Sequence, residues 1–179
     1  TNDPYQDAYT FVNNYQLQVI DYSLKNNKPL LAICLGIHAI GVLNEFKKEG
    51  KALNMDISNL EALKNLRKIL HDRKFKYLKE LSKEEKNIHS NYVERDTIET
   101  GKHQIHINKD SILYSIYQKE FVSVPSMHSY SLKDIPEGFK ISATSLDGNI
   151  EAIESGNNKQ FILGVQFHPE LEDENDCLF

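Results

Sequence analysis

Apolar and polar positions change period several times along this chain, and each change marks an expected element. Ala8, Phe11, Val12, Tyr15, Val19 and Tyr22 recur at helical spacing up to Asn26-Asn27. That spacing predicts a long amphipathic helix, started by a capping Asp3, a first-turn Pro4 and Gln6 as capping-box partner. Leu30, Leu31 and Ile33 follow as a short apolar run opened by Pro29, the pattern of a strand covered on both faces. Ile37, Ile40, Leu43 and Phe46 return to helical spacing. From Lys47 to Thr100 the chain is polar and lysine-rich, with helix starts at Ser58-x-x-Glu61 and Ser82-x-x-Glu85. Leu60, Leu63, Leu66, Leu70, Phe75, Leu78 and Leu81 give those helices an apolar stripe, so residues 47–100 are expected to form a helical insertion beside the sheet, without a central strand. The same amphipathic surface would also suit a partner.

After His103 the pattern alternates. Strands are expected at Gln104–Ile107, Phe121–Val124, Phe139–Thr144, Ile150–Glu154 and Phe161–Phe167, with a short helix over Ser111–Tyr117 and turns at Asp147-Gly148 and Gly156–Asn158. Asp176–Phe179 reads as the first turn of a closing helix.

Cys34 stands where the period changes from strand to helix, between Ala32 and Gly36. Small residues there permit a sharp turn that exposes a side chain at the end of the sheet. A sulfur at a helix N-terminus meets the positive end of the dipole and free backbone N–H groups, an arrangement that favours a thiolate. The N–H of Leu35 is then available to an oxyanion. On this stretch alone, a buried cysteine acting as a small hydrophobe carries equal weight. The balance moves at the other end of the chain, where an apolar strand runs into His168-Pro169-Glu170. A nucleophilic thiol needs a base, and the base needs an orienting group two residues away or otherwise within reach. His128 is a competing base, less well placed than His168.

Two further histidines, His103 and His106, suggest a metal by their spacing. On a strand, positions three apart face opposite ways, so these two are expected at the surface and no metal site is assigned. Pro125–Tyr130 follows a strand as a polar loop, the kind of segment that carries binding residues.

Composition narrows the class. The chain has 179 residues, 40% of them hydrophobic, and a formal net charge of −5. That is enough for one core, and it offers no basic field to a nucleic acid or an anionic membrane. Two cysteines, Cys34 and Cys177, fit a reducing compartment better than a disulfide framework. No apolar run approaches a membrane span and no secretory core opens the chain, so a cytoplasmic location is expected.

Ala32-Ile33-Cys34-Leu35-Gly36 together with Gly164-Val165-Gln166-Phe167-His168-Pro169-Glu170 resembles the class I glutamine amidotransferase family. Within it the likeness is to the gamma-glutamyl hydrolase branch, peptidase C26, whose members include gamma-glutamyl-gamma-aminobutyrate hydrolases. Leu146–Glu154 is similar in wording too, and only residues 47–100 fall outside the resemblance. It implies a single α/β domain over residues 1–179, flavodoxin-like and doubly wound with a mainly parallel sheet, incomplete at both ends because the family has an earlier strand and a glycine-rich oxyanion loop. It implies Cys34 as nucleophile, His168 as base and acid, Glu170 as orienting group, and substrate contacts from His38, Ser126 and His128. Pro125 and Tyr130 depart from the asparagine and glutamine common in that loop, and His38 stands where amidotransferases usually carry glutamine.

The implied function is thiol hydrolysis of a small-molecule gamma-glutamyl amide with release of glutamate, without metal or organic cofactor. One alternative is a glutaminase subunit delivering ammonia to a synthase; another is an inactive remnant or binding protein. A second polypeptide completing the domain is expected, and without it weak activity.

Overall fold

The structure, a computed structural model, describes residues 4–48, 78–90, 101–157 and 160–171; within these, the side chains of residues 4–14, 45 and 46 are not described. The Ser58–Glu61 capping box, the stripe from Leu60 to Phe75, Asp3, Asn158, Cys177 and the Asp176–Phe179 turn lie outside the described residues. In chain order the elements are α1 (Pro4–Lys25), β1 (Leu30–Ile33), α2 (Leu35–Lys48), β2 (Leu78–Glu80), α3 (Lys83–His89), β3 (Lys102–Ile107), α4 (Ile112–Tyr117), β4 (Phe121–Pro125), β5 (Tyr130–Leu132), β6 (Phe139–Ser145), β7 (Ile150–Ser155) and β8 (Ile162–Val165), followed by a 3-10 turn at Pro169–Leu171.

Six strands form one sheet in the order β1-β8-β7-β6-β3-β4, and β2 pairs with β5 in a separate two-stranded ladder. Alternation along β1 and β8 sends side chains to two cores. Ala32 and Ile162 join Leu17 and Ile20 of α1 and Ile37, Ile40 and Leu43 of α2 on one face. Leu163 and Val165 join Ile105, Ile107, Val124 and the α4 residues Leu113 and Tyr117 on the other. Helices thus cover both faces, the layering of an α/β domain. The expectation of a mainly parallel sheet is corrected in detail. β1 and β8 run parallel, but the other four neighbouring pairs in the sheet are antiparallel. The reason is connection length: β6 and β7 are joined by a tight turn in which Gly148 takes φ +86°, and such turns return the chain antiparallel.

Two other expectations change. Tyr15, Val19 and Tyr22 were the expected buried stripe of α1, yet they are 61%, 37% and 59% exposed, and the core face is Leu17 and Ile20 with Leu24 beside them. Both stripes have helical spacing, and the aliphatic one is what packs against α2. Leu78, placed by spacing in a helix, opens β2 instead, because Leu78–Glu80 pairs with Tyr130–Leu132. The Ser82 capping box is present: Glu85 N–H donates to Ser82 Oγ at 3.2 Å, and Ser82 N–H donates to Glu85 Oε2 at 2.7 Å. No helix among the described residues is long and apolar enough to cross a membrane.

Packing of α2 on β8 depends on Gly164. A Cβ there would meet Ile37 Cγ1 at 3.0 Å, Ile153 Cγ1 at 3.2 Å and Ile40 Cδ1 at 3.4 Å. All three belong to the fully buried core, where little can give way. Gly164→Val is therefore expected to destabilise the chain by about 1–3 kcal/mol, read as a lower denaturation midpoint.

Candidate active site

Only β1 and β8 run parallel among the described strands, and the candidate residues follow both of them. The ladder ends with Ile33 opposite Val165, and Cys34 N–H donates to Val165 O at 2.8 Å, so the chain turns out of the sheet immediately afterwards. Cys34 has φ +47°, a left-handed conformation that a non-glycine residue adopts at a cost of about 1–3 kcal/mol. Gly36 makes the turn possible, since a Cβ there would stand 3.1 Å from Ala32 Cβ. This is the strained strand-to-helix elbow expected from the sequence. Leu35 opens α2 directly after it, where the first N–H groups of a helix have no intrahelical partner.

On the neighbouring strand the chain continues past Val165 to His168, whose backbone N–H donates to Pro125 O at 2.9 Å. The 3-10 turn brings Glu170 back, and His168 Nδ1 donates to Glu170 Oε1 at 2.6 Å. His168 Nε2 is buried without a completed hydrogen bond. The ring is nevertheless raised to about 9, first by the Cys34 side chain beside it, then by Glu170, both acting against burial. An imidazole held that high carries its proton at neutral pH.

Behind the sulfur lies a chain of polar groups that the sequence reading missed. His38 Nε2 donates to Gln166 Oε1 at 2.7 Å in the interior, and Gln166 Nε2 approaches Cys34 Sγ at 4.0 Å. Gln166 is fully buried. Its signal was legible as the one amide inside the apolar run Phe161–Phe167. His38, implied by the resemblance to touch substrate, is itself buried and is engaged with this amide.

Burial lowers the His38 ring to about 4. Below pH 6.5 an unfolded chain takes up this proton and the folded one does not, so stability falls as pH drops from 6.5 to about 4, by about 3 kcal/mol for this group alone. His168 works in the opposite sense: its raised value contributes stability that is complete below 6.5 and lost as pH rises through 9. Denaturation midpoints are expected to peak near pH 6.5, and His38→Asn should flatten the acid limb between 6.5 and 4.

Ser126 and His128, implied as substrate contacts, are 1% and 5% exposed. Ser126 N–H donates to Gly101 O at 3.0 Å, and His128 Nδ1 donates to Tyr130 O at 2.8 Å. The loop therefore turns its polar groups inward. His103, expected at the surface, is also buried, while His106 is half-buried against Phe121 with ring centroids 5.1 Å apart. The opposite-face argument separates the two residues, but β3 is covered on the side of His103.

The sequence profile of the peptidase C26 family matches residues 5–170. The chain is 29% identical over 157 residues to protein NtpR of Enterococcus hirae, covering 88% of this chain and 53% of that protein. It is 29% identical over 170 residues to the CTP synthase of Methanosphaera stadtmanae, covering 89% of this chain and 28% of that enzyme. It therefore spans about half of one of these curated relatives and little more than a quarter of the other. Among solved structures, the glutaminase domain of Trypanosoma brucei CTP synthase with bound acivicin aligns with a TM-score of 0.60 at 20% identity, covering 90% of this chain and 60% of that one. That likeness supports the fold.

Proposed function

The chain belongs to the peptidase C26 family, and on that premise we propose that it is a glutaminase domain of the class I glutamine amidotransferase type, with Cys34, His168 and Glu170 as its triad. The observation that carries the reading is the left-handed Cys34 at the head of α2, acting on a histidine that Glu170 holds through Nδ1.

In this reading Cys34 Sγ bonds to the side-chain carbonyl carbon of glutamine, and the oxygen that becomes negative meets the Leu35 N–H. His168 passes its proton to the departing nitrogen, the C–N bond breaks and ammonia leaves. Water then gives a proton to His168 as its oxygen attacks the thioester, and glutamate and the thiol are released. Glu170 fixes the ring orientation throughout. Gln166, oriented by neutral His38, turns its amide N–H toward the sulfur and positions it.

The ammonia would be taken up by a synthase unit, either another part of a longer chain or a separate polypeptide. The match to little more than a quarter of a CTP synthase supports this arrangement. The peptidase C26 profile favours a second reading, in which the leaving group is a larger amine on a gamma-glutamyl substrate.

The test compares ammonia release from glutamine with amine release from gamma-glutamyl amides of increasing size, with and without candidate synthase partners, alongside covalent labelling by acivicin. Preference for glutamine with acivicin on Cys34 supports the glutaminase. Preference for the larger amides moves the assignment to gamma-glutamyl hydrolysis. Absence of turnover on every substrate, with Cys34 unlabelled, rejects both.

A further inference from the structure

A second cluster of reactive side chains lies one strand away from the triad, and the chemistry above makes no use of it. His89 at the end of α3, His103 on β3, His128 between β4 and β5, and Glu151 on β7 converge in the interior, with exposures of 0%, 7%, 5% and 0%. One oxygen is common to all of the contacts. Glu151 Oε1 lies 3.2 Å from His89 Nδ1, 3.4 Å from His103 Nε2 and 3.6 Å from His128 Nε2. None of these contacts is a completed hydrogen bond: His89 Nδ1, both ring nitrogens of His103, His128 Nε2 and both Glu151 oxygens are buried without a partner. Buried polar atoms are normally satisfied, and each orphan costs about 1–3 kcal/mol, so six in one place call for an occupant.

Protons alone satisfy the cluster poorly. A single imidazolium would neutralise Glu151, yet His128, whose Nδ1 donates to Tyr130 O, would still direct its Nε2 lone pair at the same carboxylate. A cation removes that difficulty. With bonds of about 2.0–2.2 Å, a tetrahedral centre places its donor atoms about 3.3–3.6 Å apart. The three nitrogen-to-oxygen distances fall in or just below that range. The donor atoms of His89, His103 and Glu151 all lie within 4.8 Å of one another, and His128 Nε2 lies 3.6 Å from the same carboxylate oxygen.

The outer contacts fix the tautomers of two of the rings in the required sense. His89 Nε2 donates to Asp147 Oδ2 at 3.0 Å, which leaves Nδ1 bare toward the centre. His128 Nδ1 donates to Tyr130 O at 2.8 Å, which leaves Nε2 bare. Histidines that bind metals are held in this way, by a carboxylate or a backbone carbonyl on the far nitrogen.

We propose that His89, His103 and Glu151, with His128 beside them, form a site for a divalent transition metal of the zinc type. Two imidazoles and one carboxylate suit zinc, cobalt or nickel rather than magnesium or calcium, which prefer all-oxygen shells. With its donors buried in the interior, the site is structural. It ties α3 and the loop before β5 to the sheet, and His128 N–H already donates to His89 O at 3.0 Å across that junction.

The test is made on the full 179-residue chain, stripped with a chelator and re-equilibrated with Zn²⁺ or Co²⁺. About one equivalent per chain is expected by elemental analysis, with visible d–d bands of tetrahedral intensity for Co²⁺ and a denaturation midpoint that rises with Zn²⁺. His103→Gln and Glu151→Gln should each weaken binding more than about tenfold, whereas Cys34→Ala should retain it, which separates this site from the triad. A wild-type chain that is folded by circular dichroism but binds neither ion at micromolar concentration overturns the proposal, even if the variants prove unstable. So does binding that survives in Glu151→Gln and disappears in Cys34→Ala.

Discussion

Cys34→Ala is expected to reduce hydrolysis of glutamine, and of any gamma-glutamyl amide the chain accepts, by at least about 10⁴-fold, while the chain still folds. Removing the proposed nucleophile leaves no covalent route, and what remains is the small acceleration that binding and oxyanion donors give to direct attack by water. The left-handed backbone is held by its neighbours rather than by the sulfur, so the fold persists, while the part of the stability that His168 draws from the Cys34 side chain below pH 9 is lost. Alanine does not relieve that strain, so Cys34→Gly is a useful second variant: equally inactive, and at least as stable as Cys34→Ala. A gamma-glutamyl electrophile should label Cys34 in the wild-type chain and leave Cys177 unmodified. Substantial turnover in Cys34→Ala, or label confined to Cys177, would remove the nucleophile assignment.

How much of this was legible in the sequence depends on whether a signal was local. The elbow was readable because its parts are contiguous: an apolar run, a cysteine between Ala32 and Gly36, and a helical stripe. The His168–Glu170 pair was readable for the same reason, two residues and one turn apart. What could not be read was set by contacts between distant segments. α1 offers two stripes at helical spacing, and which one is buried depends on where α2 lies. Leu78–Glu80 becomes a strand only because Tyr130–Leu132 lies beside it. The direction of the sheet was inferred from a likeness, whereas the tight turn at Gly148 returns β7 antiparallel to β6, and β8 pairs antiparallel with β7.

The buried histidines illustrate the same limit. Alternation correctly separated His103 from His106, but it could not say that the face of His103 is covered, since the covering residues His89 and His128 come from α3 and from a loop that reads as polar. Glu151 gave no warning either: in sequence it is one acidic residue in a strand after a turn, and only three separate elements arriving above it show why a carboxylate is there. Gln166 and His38 are 128 positions apart, and their hydrogen bond exists because β8 is adjacent to the elbow. Polar residues inside otherwise apolar runs were the trace that such contacts left in the sequence.

Substitutions in the remaining pair of the proposed triad should separate proton transfer from orientation. His168→Ala is expected to lower kcat by about 10⁴–10⁶-fold, since it removes both the acid that protonates the leaving nitrogen and the base that activates water. Glu170→Gln should cost less, about 10²-fold, because an amide oxygen can still accept from Nδ1 but no longer carries a charge. The two differ more informatively in pH dependence. With the wild-type imidazole raised to about 9, the protonated form that serves the leaving group persists through neutral pH and is lost as pH rises through 9, which sets an alkaline limb there. Glu170 is one of the groups that raise the ring, so Glu170→Gln should move that limb to lower pH. The shift should be partial, because the Cys34 side chain is the larger cause and stays in place. Rate profiles measured on both proteins across the neutral to alkaline range decide the matter. An alkaline limb at the same pH in Glu170→Gln would mean that the carboxylate does not act on His168, whatever its distance in the folded chain.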